Sequence, residues 1–411
     1  MSAPVVASGA PPARVLEPRD AQSLSEAVRE LGSRGEAALV RGAGTELPEG
    51  NLPARADVVL STLALRGIET LDADEGVARV AAGTPVEALR DAAREVGLDV
   101  PLDPPSARST IGGALAAAAQ GPRSLGFGRA RDAVLGLDVV LGSGERTRCG
   151  GRVVKNVTGY DLAKLYVGSL GTLAVLTHAW LRLRPVPEMT QVLIAVVSDG
   201  SASFEAALTA ARLPGASAVA LVDAPLAAEA GPFLPEAGEG RLVLIAELAA
   251  DEPVVAAGAT QLAASVGAER ASEDAVALLR SIEGSRGEPR FADTLRFRVT
   301  SRAARLEAAY GVLRRAGAHV VVHPGLGLLA ARFHVDPDAG TERIDACFAA
   351  ANASAKAGEG SARLVAGPAA ARAGRDVFGP EPEPRAILSR LRASFDPKRV
   401  LNPGIMAGRI A

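Results

Sequence analysis

The chain has 411 residues, 48% of them hydrophobic, and a formal net charge of −2. This length accommodates two or three domains with buried cores, and the balanced charge, without a Lys- or Arg-rich block, disfavours a nucleic-acid partner. The two cysteines, Cys149 and Cys347, stand far apart and cannot by themselves supply a zinc or an iron–sulfur site. Because no apolar run is long enough to span a bilayer and the N-terminus does not resemble a signal peptide, we expect a cytoplasmic protein.

The first half of the chain mixes short helices and strands. Residues 1–14 are rich in Pro, Ala and Ser, and we expect them to be disordered. Capping-box patterns at Ser23–Glu26 and Thr84–Glu87 predict two helix starts. The buried faces would hold Leu24, Ala27, Val28 and Leu31 in the first helix, and Val86, Leu89, Ala93 and Val96 in the second. Gly32 and Gly35 would end the first helix and Gly97 the second. Strands are predicted over 37–40, 57–63 and 77–82, and a hairpin over 137–149.

Two turns contain closely spaced glycines. The glycine loop, residues 41–45 (Arg-Gly-Ala-Gly-Thr), follows the strand predicted over 37–40. The second glycine turn, residues 110–114 (Thr-Ile-Gly-Gly-Ala), opens an alanine-rich stretch that is either a helix or a covered loop. Glycine permits positive φ and leaves amide groups unshielded, so such turns can bind a phosphate or pyrophosphate, or can be ordinary tight turns. Neither has the pattern of a Walker loop or of the dinucleotide fingerprint.

The second half alternates strands and helices in two similar successions. The first comprises strand 191–197, helix 203–212, strands 217–223 and 241–248, and helix 252–266. The second comprises strand 294–300, helix 302–316, strands 319–323 and 327–335, helix 341–357 and strand 362–366. Two such βαββα sets predict one antiparallel sheet with helices on one face. A helix over 384–395 and a tail over 396–404 follow.

Six motifs, in this order, resemble those of FAD-linked oxidases of the vanillyl-alcohol oxidase type, and most closely the FAD-binding subunits E of bacterial glycolate oxidases. They are the glycine loop, the second glycine turn, Arg131–Gly136, Lys155–Leu162, Gly168–Thr177 and Asn402–Gly404. The resemblance implies an α+β fold with an FAD-binding domain over 15–187 and an α+β cap domain over 188–380, whose antiparallel sheet the two repeats would build. It also implies a C-terminal segment, 381–411, that returns to the FAD-binding domain.

The resemblance implies non-covalent FAD. The glycine loop and the second glycine turn would lie on either side of the pyrophosphate, and residues 171–176 would line the adenine and flavin edge. Asn156 and Asp161 would contact the flavin or merely cap turns. The cofactor-binding residues that it implies are Arg41, Gly42, Ala43, Gly44, Thr45, Pro104, Thr110, Ile111, Gly112, Gly113, Asn156, Asp161, Gly168, Gly171, Thr172, Val175 and Asn402.

Several residues depart from the family pattern. Ala43 replaces a common glycine, which is tolerable if its φ stays negative. Ala118 and Leu170 stand where family members usually have Asn and Glu. Glu46-Leu47-Pro48 occupies the place where some relatives carry the His or Cys that binds flavin covalently, so we expect a non-covalent cofactor.

A further departure concerns the metal motif of the catalytic 2-hydroxy-acid dehydrogenases in this family, His-x-Gly-Asp-Gly-Asn-x-His. The matching run here is His323-Pro324-Gly325-Leu326-Gly327-Leu328-Leu329-Ala330, which keeps only the first histidine. One imidazole among leucines is a poor metal site. We therefore predict no metal and interpret His323 as an ordinary histidine at the end of a strand.

Three functions remain open. The first is an FAD-binding subunit of a glycolate oxidase (glycolate dehydrogenase) complex, partnered by a second flavin subunit with an intact metal motif and by an iron–sulfur subunit that takes the electrons. The second is an autonomous oxidoreductase acting on a 2-hydroxy acid or alcohol, with Arg296, Arg298 or His323 positioning the substrate. The third is a flavin-binding scaffold without turnover. The protein would have no membrane span of its own and would reach a membrane through its partners.

Overall fold

A computed structural model of the protein describes residues 12–152, 161–230, 234–272, 274–283, 293–336, 340–379 and 385–406. The chain divides into two units. The first unit contains residues 1–120, 128–186 and 372–411, and the second contains residues 121–127 and 187–371. The FAD-binding domain predicted over 15–187 includes residues 121–127, which lie in the second unit. The disorder predicted for residues 1–14 falls mostly outside the described residues.

Short elements make up the first half of the chain. They are β1 (Arg14–Leu16), α1 (Ala21–Arg34), β2 (Ala38–Arg41), β3 (Val58–Ser61), β4 (Ile68–Asp72), β5 (Val77–Ala81), α2 (Val86–Arg94), β6 (Leu98–Asp99), α3 (Ile111–Ala116), α4 (Ser124–Phe127), α5 (Ala130–Ala133), β7 (Val134–Leu141), β8 (Arg146–Gly150), α6 (Leu162–Tyr166), β9 (Ala174–Arg182) and β10 (Arg184–Pro185).

Longer elements follow. They are β11 (Met189–Ser198), α7 (Ser201–Ala210), β12 (Ala216–Asp223), α8 (Ala224–Glu229), β13 (Arg241–Ala250), α9 (Glu252–Val266), β14 (Glu269–Ala271), α10 (Asp274–Glu283), β15 (Thr294–Thr300), α11 (Leu306–Arg315), β16 (His319–His323), β17 (Leu328–His334), α12 (Thr341–Ala357), β18 (Ala362–Ala366), α13 (Ala369–Arg372) and α14 (Arg385–Phe395).

Two sheets organise the first unit. A parallel sheet has the order β1-β3-β2, and an antiparallel sheet has the order β4-β5-β9-β7-β8. The predicted hairpin over 137–149 is confirmed by the pairing of β7 with β8. Strand β2 lies at the edge of the parallel sheet, and the tail pairs with it through a parallel bridge between Ala38 and Leu401. The glycine loop leaves the sheet at the end of β2.

Both predicted capping boxes were wrong in detail. Helix α1 begins three residues earlier than predicted: Asp20 is the N-cap, and Ser23 is its capping-box partner at the third helical position. Helix α2 has no side-chain cap, because the Thr84 hydroxyl bonds to the backbone of Gly67 instead. This helix ends at Arg94, so Val96 lies beyond it and is exposed rather than buried.

An eight-stranded antiparallel sheet forms the second unit, in the order β14-β11-β13-β12-β16-β17-β15-β18. The predicted antiparallel sheet is thus confirmed, while its construction from two βαββα-like repeats stays a prediction. The expectation of helices on one face was wrong. Helix α9 packs against the Leu248 side of β13 at Gly258, whereas α8 and α10 share a core with Val243 and Ile245, which point to the opposite face.

Residues 121–127 pack within the second unit against β12. Arg123 makes a bidentate ion pair with buried Glu247, at Nε–Oε1 and Nη2–Oε2 distances of 2.8 and 2.6 Å. Gly126 lies so close to Ser217 that an added Cβ would stand 2.9 Å from its Cα. An Arg–carboxylate fork of this kind fixes orientation as well as distance, so it holds this short segment on the sheet.

Candidate functional site

A solvent-open cleft in the first unit collects most of the residues predicted to bind the cofactor. Its empty volume is about 510 Å³, and a neighbouring cavity of about 390 Å³ shares six of its lining residues, among them Val40, Gly42 and Asn402. The predicted residues that line one or both are Arg41, Gly42, Ala43, Gly44, Thr45, Thr110, Gly112, Gly113, Gly171, Val175 and Asn402. The fold therefore brings together segments that are far apart in the sequence.

The glycine loop forms one wall of the cleft, and its backbone accounts for both glycines. Gly44 has a φ of +79°, a left-handed conformation that branched residues avoid. A Cβ on Gly42 would overlap the Thr110 hydroxyl, so only glycine allows the two turns to meet. Ala43 is absent from the positive-φ residues of the described chain, which meets the condition set for an alanine at this position.

Donor groups in this wall have no partner within the described chain. The amides of Gly42, Ala43, Gly44 and Thr45 donate to no protein acceptor there. The Nε of Arg41 is buried without a hydrogen-bond partner. Unsatisfied backbone donors beside a guanidinium form a site for an anion. The cleft therefore fits a group such as a pyrophosphate.

The second glycine turn faces the same cleft but uses its amides differently. The Gly112 amide donates to the Ala82 carbonyl at 2.7 Å, and the Gly113 amide donates to the Thr110 hydroxyl at 3.1 Å, which makes Thr110 the N-cap of α3. A Cβ on Gly112 would lie 2.8 Å from that of Ala82. Gly112 thus serves close packing, and its amide is already engaged.

The third wall comes from residues 170–176 and the tail. Gly171, Val175 and Leu176 line the smaller cavity, and Leu170 lines both. Asn402 reaches across: its Oδ1 accepts from the Val40 amide at 2.8 Å, and its Nδ2 donates to the Leu170 carbonyl at 2.7 Å. Its side chain therefore ties two walls of the cleft to each other.

The remaining predicted residues do not line the cleft. Ile111 is buried in the core beneath it, and Thr172 is buried with its hydroxyl donating to the Ser169 carbonyl at 2.7 Å. Asp161 caps α6 and pairs with Lys164 at 3.0 Å, the capping role left open from the sequence. Pro104 and Gly168 line neither cavity. Asn156 lies outside the described residues.

Sequence reasoning missed several lining residues because they carry little chemistry. Val40, Leu47, Ala116, Ala117 and Ile405 supply apolar surface, and Glu46 adds a buried carboxylate. Two signals were available: Glu46 and Leu47 stand where some relatives bind flavin covalently, and Leu170 departs from the family pattern. Leu170 has a φ of +51°, a left-handed conformation that is uncommon in residues other than glycine.

The degenerate metal motif lies in the second unit and forms a tight turn between β16 and β17. His323 is buried, and its Nε2 lies 2.5 Å from Glu283 Oε1. Gly327 has a φ of +60°, and Leu328 is buried at the start of β17. Among the described residues, no three His, Cys, Asp or Glu side chains group as metal ligands. His323 thus lies buried at the end of β16 beside a carboxylate from α10, and the absence of a metal stays a prediction.

The two cysteines and two further histidines line neither cavity. Cys149 and Cys347 are free thiols, and burial raises the pKa of each, which disfavours the reactive thiolate. His178 and His319 have carboxylate neighbours, Glu69 at 2.9 Å and Asp223 at 3.8 Å, that the sequence did not place near them. No described helix is both long and apolar enough to cross a membrane.

Residues 12–150 match the family model of an FAD binding domain. Over 171 residues the chain is 39% identical to D-lactate dehydrogenase of Archaeoglobus fulgidus, which covers 42% of this chain and 38% of that protein. It is 35% identical to glycolate oxidase subunit GlcD of Bacillus subtilis over 205 residues, or 49% of this chain and 44% of the relative. It is 39% identical to subunit GlcE of Escherichia coli over 144 residues, or 34% of this chain and 41% of the relative.

The chain thus spans less than half the length of these curated relatives. A solved structure of alkyldihydroxyacetonephosphate synthase aligns with 95% of this chain and 75% of its own, with a TM-score of 0.68 and 15% identity, a likeness of fold alone. The predicted resemblance to FAD-linked oxidases and the α+β fold class are confirmed. The match at residues 12–150 identifies FAD as the cofactor of this chain.

Proposed function

We propose that this chain is the FAD-binding subunit of a cytoplasmic complex that oxidises a 2-hydroxy acid such as glycolate. The observation that carries the proposal is the cleft of the first unit, where four loop amides and Arg41 Nε lack partners among the residues that the structure describes. The names of the relatives, which include glycolate oxidase subunits and a D-lactate dehydrogenase, supply the substrate class. In the complex, the second flavin subunit would take the hydride from the CH–OH carbon while the hydroxyl group loses its proton. The FAD of this chain would take part in passing the electrons to the iron–sulfur partner.

The residues of the cleft would bind FAD mainly through the backbone. The amides of Gly42 to Thr45 and the Arg41 guanidinium would neutralise the pyrophosphate, a charge-assisted contact stronger than one between neutral groups. Apolar contacts from Val40, Leu170 and Ile405 would exclude water. Among the described residues that line the two cavities there is no His or Cys, so we expect the cofactor to be held without a covalent bond. Acid precipitation should release the flavin into the supernatant, and flavin that stays with the pellet would contradict this.

We propose a complex because the described sequence motifs include neither the ligands of an iron–sulfur cluster nor a complete metal motif for activating the substrate. Its two cysteines cannot hold an iron–sulfur cluster, so the electrons would pass to an iron–sulfur partner. The run at His323 lacks the acidic and second histidine positions of the metal motif, so a second flavin subunit with an intact motif would activate the substrate. The subunit names of the relatives are consistent with such an assembly.

One experiment separates the three functions: an absorption spectrum of the purified chain, followed by anaerobic addition of glycolate or D-lactate. A yellow protein that does not bleach alone, but bleaches when its partners are added, is the expected result. Bleaching by the chain alone would favour the autonomous enzyme, and a colourless protein would favour the scaffold. Size exclusion of native extract adds a second check, because a fully active peak at the mass of the single chain would defeat the complex.

The autonomous enzyme is kept as a second candidate because of one feature of the second unit. Arg296 and Arg298 alternate on β15 and so share one face of the sheet, and His323 lies buried on β16. Cationic side chains on one face suit a carboxylate substrate. Under the complex proposal, His323→Ala should change turnover of the assembled complex by no more than a few-fold. A far larger loss, with a stoichiometric metal lost as well, would favour a substrate site here.

A further inference from the structure

The tail of the first unit forms a continuous set of polar contacts, which we name the tail clamp and define as Asp396 to Asn402. Its base is the fully buried Asp396. The Asp396 carboxylate accepts from the Val400 and Leu401 amides, both at 2.9 Å, and from Arg392 Nη2 at 3.1 Å. Arg392 Nη2 also donates to the Leu401 carbonyl at 2.6 Å. The buried charge is thus paired, and it fixes the turn that presents Asn402.

The tip of the clamp is Asn402, which extends the edge of the parallel sheet. The Ala38 amide donates to the Val400 carbonyl at 2.7 Å, and the Asn402 amide donates to the Ala38 carbonyl at 2.9 Å. The Asn402 side chain then supplies the next rung by accepting from the Val40 amide at 2.8 Å. Val40 is two residues before Gly42, so this contact holds the strand that carries the glycine loop.

The other end of the same side chain holds the opposite wall. Asn402 Nδ2 donates to the Leu170 carbonyl at 2.7 Å, and a Cβ on the next residue, Gly171, would stand 2.9 Å from Nδ2. Asn402 itself has a φ of +44° and Arg399 a φ of +52°. Asparagine tolerates this conformation, whereas Arg399 keeps it only where the surroundings over-determine it, and here the buried contacts of Asp396 do so.

From this arrangement we infer that Asn402 is a positioning residue for FAD: it sets the separation of the glycine loop and the Leu170 wall before the cofactor arrives. Both polar ends of its side chain are used by the protein, so its effect on FAD would pass through those two walls. The inference rests on the proposed placement of FAD in this cleft. If the walls lose their common tie, a smaller fraction of the free protein has the binding-competent shape, and the apparent Kd rises in proportion.

The test measures the Kd of FAD for the refolded apoprotein by flavin fluorescence, with hydrogen exchange of the peptides around Val40 and Leu170. Asn402→Ala should raise the Kd about tenfold or more, since two hydrogen bonds are lost, and should speed exchange in both peptides. Asn402→Asp keeps the acceptor for Val40 but sets a buried carboxylate oxygen against the Leu170 carbonyl, so its effect should be at least as large. Asn402→Gly removes the left-handed strain and serves as a second variant if Asn402→Ala does not fold.

A purely structural role would give a different pattern. Leu181→Ala removes a buried core side chain of the same unit outside both cavities, and it should lower the melting temperature while leaving the Kd of the folded protein unchanged. An Asn402→Ala protein that behaves like this control would overturn the inference, provided that Gly44→Val abolishes FAD binding. If neither Asn402→Ala nor Gly44→Val changes the Kd, the placement of FAD in this cleft fails, and the inference fails with it.

Discussion

The glycine loop and the second glycine turn resemble each other in sequence, yet the fold uses them in opposite ways. In the glycine loop, glycine frees the backbone: Gly44 takes a left-handed φ, and the neighbouring amides have no partner within the described part of the chain. In the second turn, glycine removes bulk: Gly112 packs against Ala82 and gives its amide to the Ala82 carbonyl. The residue is the same because it is both the most flexible and the smallest.

A glycine pair in a sequence therefore predicts that another group packs closely against the backbone, but it does not identify that group. At Gly42 the approaching group is the Thr110 hydroxyl of the other turn, so the two turns are also fitted to each other. The loop with free amides would bind the anion, and the turn with engaged amides would support it. Each of the following substitutions tests one side of that division.

The largest effect is expected from Gly44→Val, which should abolish FAD binding. A β-branched residue at a φ of +79° is strongly disfavoured, so the loop must rearrange and its amides lose their common direction. Flavin content after refolding with FAD measures the result. Gly35→Val is the matched control, since Gly35 has a φ of +65° in open space at the end of α1. Full flavin occupancy in folded Gly44→Val protein would show that the loop does not bind FAD.

Arg41→Gln should raise the Kd of FAD about ten- to a hundredfold, because a hydrogen bond to a charged group contributes about 1.5–3 kcal/mol. The reason is the Arg41 guanidinium, which lines the cleft with its buried Nε unpartnered. Added salt should weaken wild-type binding more than binding by the variant. Arg66→Gln controls for loss of a surface charge, since Arg66 donates to the Leu63 carbonyl and lines neither cavity. Equal affinity of the two variants would contradict a pyrophosphate contact by Arg41.

Regular periodicity made the second unit the easier half to predict from sequence. The helices over 252–266 and 341–357 have the predicted bounds, because each is long and ends near a glycine. The capping boxes failed where another group competed for the same hydroxyl, as at Thr84. The placement of residues 121–127 was beyond sequence reasoning, since the Glu247 partner of Arg123 lies 124 residues away.

The candidate site likewise has parts that could be predicted from local sequence and parts that depend on long-range packing. The glycine loop could be found because its residue types are unusual, and its φ values follow from them. The hydrogen bond of the Gly112 amide could not be predicted, because the sequence of a Gly-Gly pair does not indicate which of its amides donates to Ala82. Asn402 was selected from the sequence only through the family motif, as a contact of the cofactor. Its two bonds to Val40 and Leu170 depend on long-range packing that no local pattern specifies.

Gly112→Ala should affect stability more than cofactor binding. The new methyl group would crowd Ala82, so we expect about 1–3 kcal/mol of destabilisation in urea unfolding and only a small change in the Kd of FAD. Gly151→Ala is the control, since a Cβ there meets open space and should change stability by less than about 1 kcal/mol. If Gly112→Ala abolished FAD binding at unchanged stability, the second turn would have to be counted with the first.

The smallest effect concerns Ala118, just beyond α3, which has a left-handed φ of +47° without the glycine that such a position favours. An L-residue pays about 1–2 kcal/mol in this conformation, and asparagine tolerates it better because its side chain bonds to the local backbone. Ala118→Asn should therefore raise the free energy of unfolding by about 0.5–1 kcal/mol. Ala118→Ser, which adds a polar atom without that preference, should not stabilise the unit. FAD affinity should stay the same in both variants, because Ala118 lines neither cavity. A gain in affinity rather than stability would mean that the end of α3 belongs to the binding wall and not to its support.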